Sequence, residues 1–348
     1  MVSGTRSYKA LNLLYLFLIL LLLAGTGIVS AHAPLGVGSN EDIANATPIS
    51  NPDKSYVIYT ELHESGEAQY YHFPLQKGEN LYGSLMVPGP DSMVPNIVII
   101  GPGIESTGNV PSFIEIPAGS GAMVIEGKPP GKPSYEPFTP QPIYEVARYN
   151  VTVPRDGDYY IAVYGPSGGK YSLAPGFLEQ FTPAEWLMIP WSVVSIHLWE
   201  GQSPWVIFAP MILVVIGGLV LIGIYRKQPG LYQDPVRWMI LISGLLYLGG
   251  AAMTALQIIH AVQVTGYTNE VILTLMFIAG PIILGFFAIM EGIRQPRPDS
   301  LLKRGIKMVV IGLLGLLVWA GLIIGPVLAL VSGVLILAKH RRAVSGSS

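Results

Sequence analysis

The chain has 348 residues, of which 51% are hydrophobic and 12% are charged, and its formal net charge is −2. A soluble domain has roughly 25% charged residues, so this composition excludes an ordinary soluble enzyme. The small net charge argues against nucleic acid as a partner. The absence of cysteine excludes disulfides, thiolate metal sites and cysteine nucleophiles. Four segments have no Asp, Glu, Lys or Arg and predict an integral membrane protein: 204–225, 238–269, 271–290 and 308–338.

Residues 1–31 have the pattern of a secretory signal peptide. Two basic residues precede an apolar run at 11–23, and small residues follow this run up to Ala31. Cleavage after Ala31 makes His32 the first residue of the mature protein, whereas the alternative is an uncleaved signal anchor. In both cases the next segment, 32–180, is expected outside the cytoplasm.

The region 55–176 consists of short runs rich in β-branched and aromatic residues, separated by turn residues. The predicted strands are 55–62, 68–75, 80–87, 96–100, 143–153, 158–164 and 170–173. Short strands at this spacing predict an antiparallel β-sandwich, for which about 120 residues supply one core without disulfides. The proline-rich segment 127–142 is predicted to be a stiff surface loop or, alternatively, a polyproline-II docking segment.

Three stretches of this region resemble the bacterial pre-peptidase C-terminal domain. They are 66–79 (GEAQYYHFPLQKGE), 157–164 (GDYYIAVY) and 169–173 (GKYSL). The resemblance implies a jelly-roll-like sandwich of the kind that is appended to secreted enzymes. It also implies an association with carbohydrate binding or export, without catalysis by the domain itself. The resemblance covers 55–176, and no family is recognised for the whole chain.

An interfacial amphipathic helix is predicted at 183–200, where three tryptophans lie beside apolar residues. We expect this helix to lie at the outer leaflet, where it sets the height and angle of the sandwich or binds a partner helix.

Five membrane spans are predicted after this helix: 204–226, 237–262, 270–292, 306–322 and 325–339. The loops after the first and third spans are basic, whereas the loop after the second has no basic residue. Because basic loops mark the cytoplasmic face, the sequence predicts a multi-pass protein of the cell membrane with the tail 340–348 in the cytoplasm. One tilted helix over 308–338 would place its basic end outside, so two short helices that turn near Gly325-Pro326 are preferred.

Copper is the one cofactor that the sequence suggests. If His32 is the mature N-terminus, its α-amine and imidazole chelate copper together, and one more histidine completes a three-nitrogen set called a histidine brace. The candidates are His72 and His63. In a regular hairpin of the first two predicted strands His72 lies opposite Tyr59, which places His63 about 13 Å along the strand. At most one of the two is therefore expected to join His32.

A catalytic site is not predicted from this sequence. The pentapeptide 165–169 (GPSGG) matches the pattern G-x-S-x-G, but the true motif joins a strand to a helix. Here it joins two predicted strands, so it predicts a hairpin turn. Asn45 and Asn150 each begin an N-x-Thr acceptor pattern for glycosylation.

The sequence therefore predicts a membrane-anchored surface protein that binds or scaffolds a glycan or a protein, and whose helices dock a partner membrane protein. A glycan platform would expose the tyrosine pairs 70–71 or 159–160 on one sheet face. The alternative function is extracytoplasmic copper binding, which would place His32 beside another histidine. The third possible function, catalysis, would need a concave pocket that contains titratable groups with shifted pKa values.

Overall fold

The structure is a computed structural model that describes residues 33–34, 38–178, 180–225, 234–295 and 297–345. The predicted signal peptide, its cleavage site and His32 lie outside these residues. The described chain forms two antiparallel-rich sheets in its N-terminal half and a helical region in its C-terminal half.

The described strands fall into two sheets. In chain order they are β1 (Ala33–Pro34), β2 (Thr47–Pro48), β3 (Tyr56–Leu62), β4 (Ala68–Leu75), β5 (Asn80–Val87), β6 (Asn96–Pro102), β7 (Ser120–Ile125), β8 (Ser134–Glu136), β9 (Gln141–Thr152), β10 (Gly157–Tyr164) and β11 (Gly169–Pro175). Sheet one has the order β1-β3-β11-β5-β9-β8, and sheet two has the order β2-β4-β10-β6-β7. Two short outer pairs, β1–β3 and β2–β4, are parallel, and the other described pairs are antiparallel.

Strands β3 and β4 lie in different sheets, so they do not form the hairpin from which the spacing of His63 and His72 was reckoned. β3 pairs with β11 and β4 pairs with β10, and the chain crosses from sheet one to sheet two at 63–67. The pentapeptide 165–169 likewise takes the chain from β10 in sheet two to β11 in sheet one, so it is not a hairpin turn. The period-two pattern of apolar residues identifies a half-buried strand but does not specify its neighbour.

Both sheets contribute side chains to one hydrophobic core. Sheet one supplies residues such as Ile58, Leu85 and Leu173, and sheet two supplies residues such as Ile99 and Ile161. All five side chains are fully buried, and each contributes about 1.5–3 kcal/mol through burial. The sheet domain thus has a shared core that needs no disulfide.

The outer face of sheet two is covered by the segment between β6 and β7. Tyr70 and Ile100 point to this face and pack with Ile114 of the covering segment. The hydroxyl of Tyr70 accepts a hydrogen bond from the backbone N–H of Glu115 at 2.9 Å. The centre of this face is therefore not open to a large ligand.

Six helices are described after the sheets. They are α1 (Pro183–Trp199), α2 (Pro204–Tyr225), α3 (Pro235–Thr265), α4 (Val271–Ile293), α5 (Leu301–Leu317) and α6 (Ile324–Ser345). Four segments of the described chain are long and apolar enough to cross a membrane: Pro204–Ile224, Pro235–Thr265, Val271–Ile293 and Ala320–Ser345. Helix α3 lies at the centre and packs against α2, α4 and α6. Gly244 of α3 allows a close approach, because a Cβ there would lie 2.8 Å from the carbonyl oxygen of Gly285.

The last apolar stretch contains the two helices α5 and α6, which pack against each other. The chain turns at 318–323, which precedes the predicted turn at Gly325-Pro326. These two residues lie in the first turn of α6, where proline is tolerated because its missing N–H would have no partner. The actual turn is left-handed, with positive φ at Trp319, Leu322 and Ile323.

The C-terminus of α4 is surrounded by cations at the helix ends remote from the sheets. Oε1 of Glu291 lies 2.9 Å from Lys307 Nζ and 3.1 Å from Arg294 Nη1. Arg304 and Arg237 donate to the last carbonyl groups of α4 at 2.7–3.1 Å. These bonds satisfy carbonyls that have no partner within the helix and complement the helix dipole.

Candidate functional site

The candidate site is the junction, by which we mean the contact region formed by α1, the segment 134–140 and the turn 318–323. These three elements lie between sheet one and the helices. Cavities, buried titratable groups and unpaired polar atoms are found together in this region.

Helix α1 begins at a capping box that is also bonded to the sheet domain. Thr182 Oγ1 accepts from the backbone N–H of Glu185 at 3.2 Å, and Glu185 Oε2 accepts from that of Thr182 at 2.8 Å. The other oxygen of Glu185 lies 2.6 Å from Lys54 Nζ. Burial acts to raise the pKa of Glu185, but the hydrogen bonds from Lys54 and Thr182 lower it below its ordinary value. The ionised carboxylate therefore ties the start of α1 to the chain before β3.

The end of α1 is also bonded to sheet one. Trp199 Nε1 donates to the carbonyl oxygen of Thr60 at 3.0 Å, and Lys170 Nζ donates to the carbonyl oxygen of Trp199 at 2.7 Å. The rings of Tyr59 and Trp199 meet edge to face, with centroids 4.9 Å apart. Both ends of α1 are thus fixed on the sheet domain.

Apolar residues of α1 lie on both its buried and its exposed sides. Ile189 and Val194 are buried, whereas Met188 and Trp191 are exposed at 57% and 41%. The amphipathic pattern predicted for 183–200 is therefore not the pattern that is observed. A helix that is apolar on both sides fits a position between two apolar bodies.

The proline-rich segment reaches from the sheets to the helices through a short chain of hydrogen bonds. Tyr135 Oη donates to Thr274 Oγ1 at 2.8 Å, and Thr274 Oγ1 donates to the carbonyl oxygen of Pro137 at 2.6 Å. Burial raises the pKa of Tyr135 to about 12, so its hydroxyl remains a donor. The preferred prediction of a stiff surface loop over 127–142 is thus wrong for 134–140, which docks within its own chain, whereas 128–132 lies at the surface.

Aromatic rings continue this contact at the left-handed turn. The ring centroid of Phe138 lies 6.0 Å from those of Phe277 and Trp319. Phe277 and Trp319 stack at 4.5 Å with nearly parallel planes, and Trp186 of α1 also lies 4.5 Å from Trp319. Residues from all three junction elements therefore meet around one indole ring.

A buried histidine and carboxylate lie where α1 ends. The side chain of His197 is 2% exposed, and its Nδ1 lies 2.8 Å from Glu200 Oε2. Gln202 and Gln257 exchange two hydrogen bonds at 3.0 and 2.8 Å and connect this pair to α3. Nε2 of His197 has no hydrogen-bond partner among the described residues.

This pair has an arrangement that is known from general bases and metal ligands, in which a carboxylate orients an imidazole. A nucleophile is missing from it, since no hydroxyl in the described part of the chain bonds to Nε2 of His197. The pair can accept a hydrogen bond at Nε2, and the described geometry does not assemble a hydrolytic site around it.

Two cavities flank α1 in the junction. The larger has a volume of about 80 Å³ and is lined by His197, Trp319, Phe277 and further residues of α1, α3 and α4. The smaller, of about 40 Å³, lies against sheet one and includes Tyr59 and Glu200 on its wall. Burial raises the pKa of Tyr59 well above its ordinary value. Phe138 lines both cavities.

The structure pairs His72 with an aspartate of sheet two. His72 Nε2 lies 2.7 Å from Asp158 Oδ1, and its ring stacks on Tyr160 with centroids 5.0 Å apart. In the ladder His72 is opposite Tyr160. The position opposite Tyr59, which a β3–β4 hairpin would give, does not occur, because Tyr59 belongs to sheet one.

His63 lies in the crossing between the sheets with two glutamates near it. Ligand atoms of Glu41, His63 and Glu67 all lie within 4.8 Å of one another. Glu67 also accepts hydrogen bonds from two backbone N–H groups of the crossing and from Gln69, so it closes the turn. The hydrogen bond and the charge of Glu67 raise the pKa of His63.

The described chain begins at the opposite end of β3 from His63. Ala33, which follows His32 in sequence, pairs with Tyr56 at the start of β3. Tyr56 is seven positions before His63, a separation of about 23 Å at about 3.3 Å per residue. His32 itself lies outside the described residues, and the predicted brace stays a prediction.

The tyrosine pairs considered for a glycan platform lie mainly inside the sheet domain. Tyr70, Tyr71 and Tyr159 are buried, and Tyr160 is half-buried under His72. These pairs therefore do not form an exposed aromatic face.

The remaining predicted residues lie on the surface. Asn45 is exposed and donates its side-chain amide to Asp42, and Asn150 is exposed on β9. The hydroxyl of Ser167 donates to the carbonyl oxygen of Gly168 at 3.2 Å, which is a local turn contact. No protein-family model matches this chain, and no curated protein is similar to it in sequence.

Proposed function

We propose that this chain is a multi-pass membrane protein that holds its sheet domain in a fixed orientation outside the cytoplasm, as a scaffold for a protein partner. The junction is the observation that carries this proposal. An anchor alone needs one span and a linker, whereas here the sheet domain is bonded to the helices through α1 and through 134–140. Fixed orientation is the property that a scaffold requires and that a simple tether lacks.

The proposed fold of the domain is a β-sandwich of the jelly-roll kind. The shared core of the two sheets supports it, and so does the alternation of strands β1 to β6 between the sheets. The likeness of 66–79 and 157–164 to the pre-peptidase C-terminal domain remains part of the same proposal.

The distribution of basic residues supports the proposed orientation. The sheet-side connections 266–270 and 318–323 have no Lys or Arg, whereas the opposite helix ends contain Arg294, Lys307 and Arg341 among others. Because basic residues favour the cytoplasmic side, the sheets are placed outside and the C-terminus inside. This arrangement is consistent along the chain if α5 crosses together with the four long apolar segments, so that α2 to α6 alternate in direction.

A protein partner is favoured over a glycan. Glycan platforms use exposed aromatic faces, and the tyrosine pairs that would form one are mainly buried. The covering segment of sheet two instead exposes Phe113 and Ile116, at 41% and 44%. We therefore place the partner contact at this segment.

A cysteine series tests orientation, because the native chain has no cysteine. Phe113→Cys and Ser167→Cys lie on the sheet domain, and Ala343→Cys lies near the end of α6. In intact cells a membrane-impermeant maleimide is expected to label the first two variants, and Ala343→Cys only after lysis. Labelling of Ala343→Cys in intact cells, without labelling of the other two, would contradict the orientation.

The same variants test the partner contact. A benzophenone maleimide attached at Phe113→Cys is expected to give one discrete adduct on illumination of the native host. Ser167→Cys is the matched control, since it is exposed on the same domain away from the covering segment. If neither position gives an adduct, or both give the same diffuse ones, the scaffold proposal fails even where the orientation holds.

Copper binding is the second proposed function, and one observation favours a specific place for it. The group of Glu41, His63 and Glu67 offers one imidazole and two carboxylates within a short distance, and imidazole suits copper and zinc. We therefore place the copper proposal at His63 in preference to His72, which is paired with a single carboxylate.

A further inference from the structure

The exposed side of α1, all of whose residues are described, has no charged side chain. After the first position of the helix, its exposed residues are Ala184, Leu187, Met188, Trp191, Ser195 and Leu198. In sheet one the exposed positions of β9 are instead all polar, namely Glu145, Arg148, Asn150 and Thr152. A helix at the surface of a soluble domain has polar or charged residues on the side that faces water. The exposed side of α1 therefore has the composition of a contact surface.

The hydroxyl groups at the edge and centre of this side are satisfied within the helix. Ser195 Oγ donates to the carbonyl oxygen of Trp191 at 3.1 Å, and Ser192 Oγ donates to that of Met188 at 3.3 Å. An unpaired hydroxyl group is costly in an apolar medium, and the bond to the carbonyl four residues earlier removes this cost. The exposed side of α1 is thus compatible with a medium that offers no hydrogen bonds.

Helix α1 lies across the sheet-side ends of the other helices. Trp186 packs against Trp319 in the turn 318–323, with ring centroids 4.5 Å apart. Val194 belongs to one buried cluster with Ile207, which lies in the first turn of α2. These two contacts are eight residues apart on α1, which corresponds to about 12 Å at about 1.5 Å per residue. The axis of α1 therefore crosses the helix ends and does not continue any of the helices.

The length of α2 places α1 at the boundary of the bilayer. Pro204–Tyr225 has 22 residues, and at about 1.5 Å per residue its length of about 33 Å matches a hydrocarbon core of about 30 Å. The first turn of α2, which contains Ile207, is then at the outer edge of this core. Because α1 contacts this turn and ends only five residues before Pro204, it lies at the same level.

Exposed apolar residues extend this surface at both ends of α1. Trp205, which is 77% exposed, follows the C-terminal end of the helix. Phe177 and Leu178 are exposed before its N-terminal end, where their backbone N–H groups donate to the carbonyl oxygen of Asp53 at 3.0 and 2.7 Å. Asp53 adjoins Lys54, whose ion pair holds the start of α1. Tryptophan is enriched where a bilayer meets water, so both the position and the composition of this surface fit that boundary.

We propose that this surface, formed by the exposed side of α1 with Phe177, Leu178 and Trp205, binds the outer leaflet of the bilayer. A helix that lies in the plane of the interface buries its apolar side about 5–10 Å into the boundary between headgroups and acyl chains. Lipid is favoured over a second copy of the chain, because the surface lies at the level of the outer end of α2, which is itself largely exposed. This contact depends on the proposed multi-pass arrangement and not on the identity of a protein partner.

Single cysteines test the contact in the full chain, which has no cysteine of its own. Leu187→Cys and Leu198→Cys lie on the exposed side of α1, three turns apart and on one line along the helix. Each variant is labelled with a nitroxide in vesicles of palmitoyl-oleoyl-phosphatidylcholine, and its collision rates with oxygen and with a hydrophilic nickel chelate are measured. Ser167→Cys on the sheet domain is the control for water, and Leu213→Cys on an exposed side of α2 is the control for lipid.

The expected result is a high ratio of the oxygen rate to the nickel rate at both α1 positions. This ratio should be about tenfold higher than at Ser167→Cys, because oxygen partitions into the bilayer and the hydrophilic chelate does not. Leu213→Cys lies deeper and should give a higher ratio still. Similar ratios at Leu187→Cys and Leu198→Cys would support an axis in the plane of the membrane, whereas a high ratio at only one of them would overturn that placement.

The remaining outcomes separate this contact from the proposed function. Nickel collision rates at both α1 positions that equal the rate at Ser167→Cys mean that the surface faces water, and the lipid contact is then wrong. Low rates with both reagents mean that protein covers the surface, which overturns the lipid contact in favour of a second copy or another chain. In both cases a high ratio at Leu213→Cys leaves the multi-pass arrangement intact. A low ratio at Leu213→Cys as well would overturn that arrangement together with the lipid contact.

Discussion

Three histidines of the described chain have the same kind of partner and different surroundings. His197, His72 and His63 each lie within 3.3 Å of a carboxylate oxygen, while their side chains are 2%, 29% and 66% exposed. Water competes with a hydrogen bond at the surface. A histidine–carboxylate pair is therefore stronger, and restricts the positions of its two side chains more, when it is buried. The His197 pair therefore determines local geometry, whereas His63 is accessible to a metal ion.

The copper proposal predicts a difference between two single substitutions. His63→Gln is expected to abolish stoichiometric Cu²⁺ binding at pH 7, and His72→Gln is expected to retain it, because only His63 has two carboxylates close by. Since Glu67 raises the pKa of His63 and copper needs the neutral ring, binding should weaken as the pH falls. Calorimetric titration with Cu²⁺ measures both effects. Equal binding by the two variants, or none by the native chain, would exclude this site.

The sequence indicates His63 and His72 at the surface of the sheet domain but not the buried His197, for a physical reason. His63 and His72 are candidates for the second ligand beside a terminal histidine, and residue type alone is enough to identify them as such. His197 is distinguished by its burial and by the cavity beside it, neither of which is a local property. The single local signal is the spacing of three residues to Glu200 at the end of a helix. Trp319 has no such signal, because it lies in a long apolar run.

Helix α1 is the element in which local and long-range interactions coincide. Its capping box is visible in the sequence as Thr182 followed three residues later by Glu185. The bond from Glu185 to Lys54 spans 131 positions and is not visible there. One carboxylate thus begins the helix and also attaches it to the sheet domain.

Glu185→Gln is expected to loosen the start of α1 while the sheet core is unaffected. The Gln amide oxygen can still accept from the Thr182 N–H, but the bonds from Thr182 and Lys54 lose their charge. This loss costs roughly 1 kcal/mol, which corresponds to about a fivefold faster amide exchange at 183–190 in hydrogen–deuterium exchange at pH 7. The matched control is Glu145→Gln, whose ion pair with Arg148 is exposed. Native protection in Glu185→Gln would show that the charge of Glu185 and its pairing with Lys54 contribute nothing measurable.

The pH dependence of this attachment follows from the lowered pKa of Glu185. A group with a lowered folded pKa stabilises the folded state above its unfolded pKa and loses this contribution as the pH falls through its folded pKa. The ordinary value is 4.5 and the folded value is lower. Native α1 should therefore stay attached from neutral pH down to about 4.5 and loosen below it, whereas Glu185→Gln should show no such step.

The elements themselves were largely predictable, and their partners were not. The predicted runs 68–75 and 80–87 coincide with β4 and β5, because alternation of apolar residues is a local property. Strand β7 was missed, since its Gly121 weakens the strand pattern. A Cβ at this position would clash with the carbonyl oxygen of Ile104, so the glycine is required by a close backbone approach.

At the scale of the whole molecule, two bodies with separate cores are joined by few side chains. The sheet core and the helix core share no residue. Composition and the period of the apolar residues predict the sheet domain and the helices separately, because strands and helices differ in this period. The joining contacts, such as Tyr135 with Thr274, connect positions 139 residues apart, and nothing in either segment alone indicates the other.

The contact between the sheet domain and the helices depends most on the side chain of Phe138. It lines both junction cavities and lies against Phe277 and Trp319, yet it belongs to neither core. Phe138→Ala should enlarge both cavities and, because the ring is half-buried, remove less packing energy than the about 3–5 kcal/mol of a fully buried Phe. Both cores should stay folded, and the sheet domain should move relative to the helices.

Spin labels at Ser167→Cys and Ala343→Cys measure this motion as a distribution of distances between the two bodies. Phe138→Ala is expected to broaden the distribution, whereas Phe113→Ala removes an exposed aromatic residue of the sheet domain and should leave it narrow. A narrow distribution in both variants would mean that α1 alone fixes the orientation. Broadening in Phe138→Ala would instead assign the fixed orientation, on which the scaffold proposal depends, to the docking of the proline-rich segment.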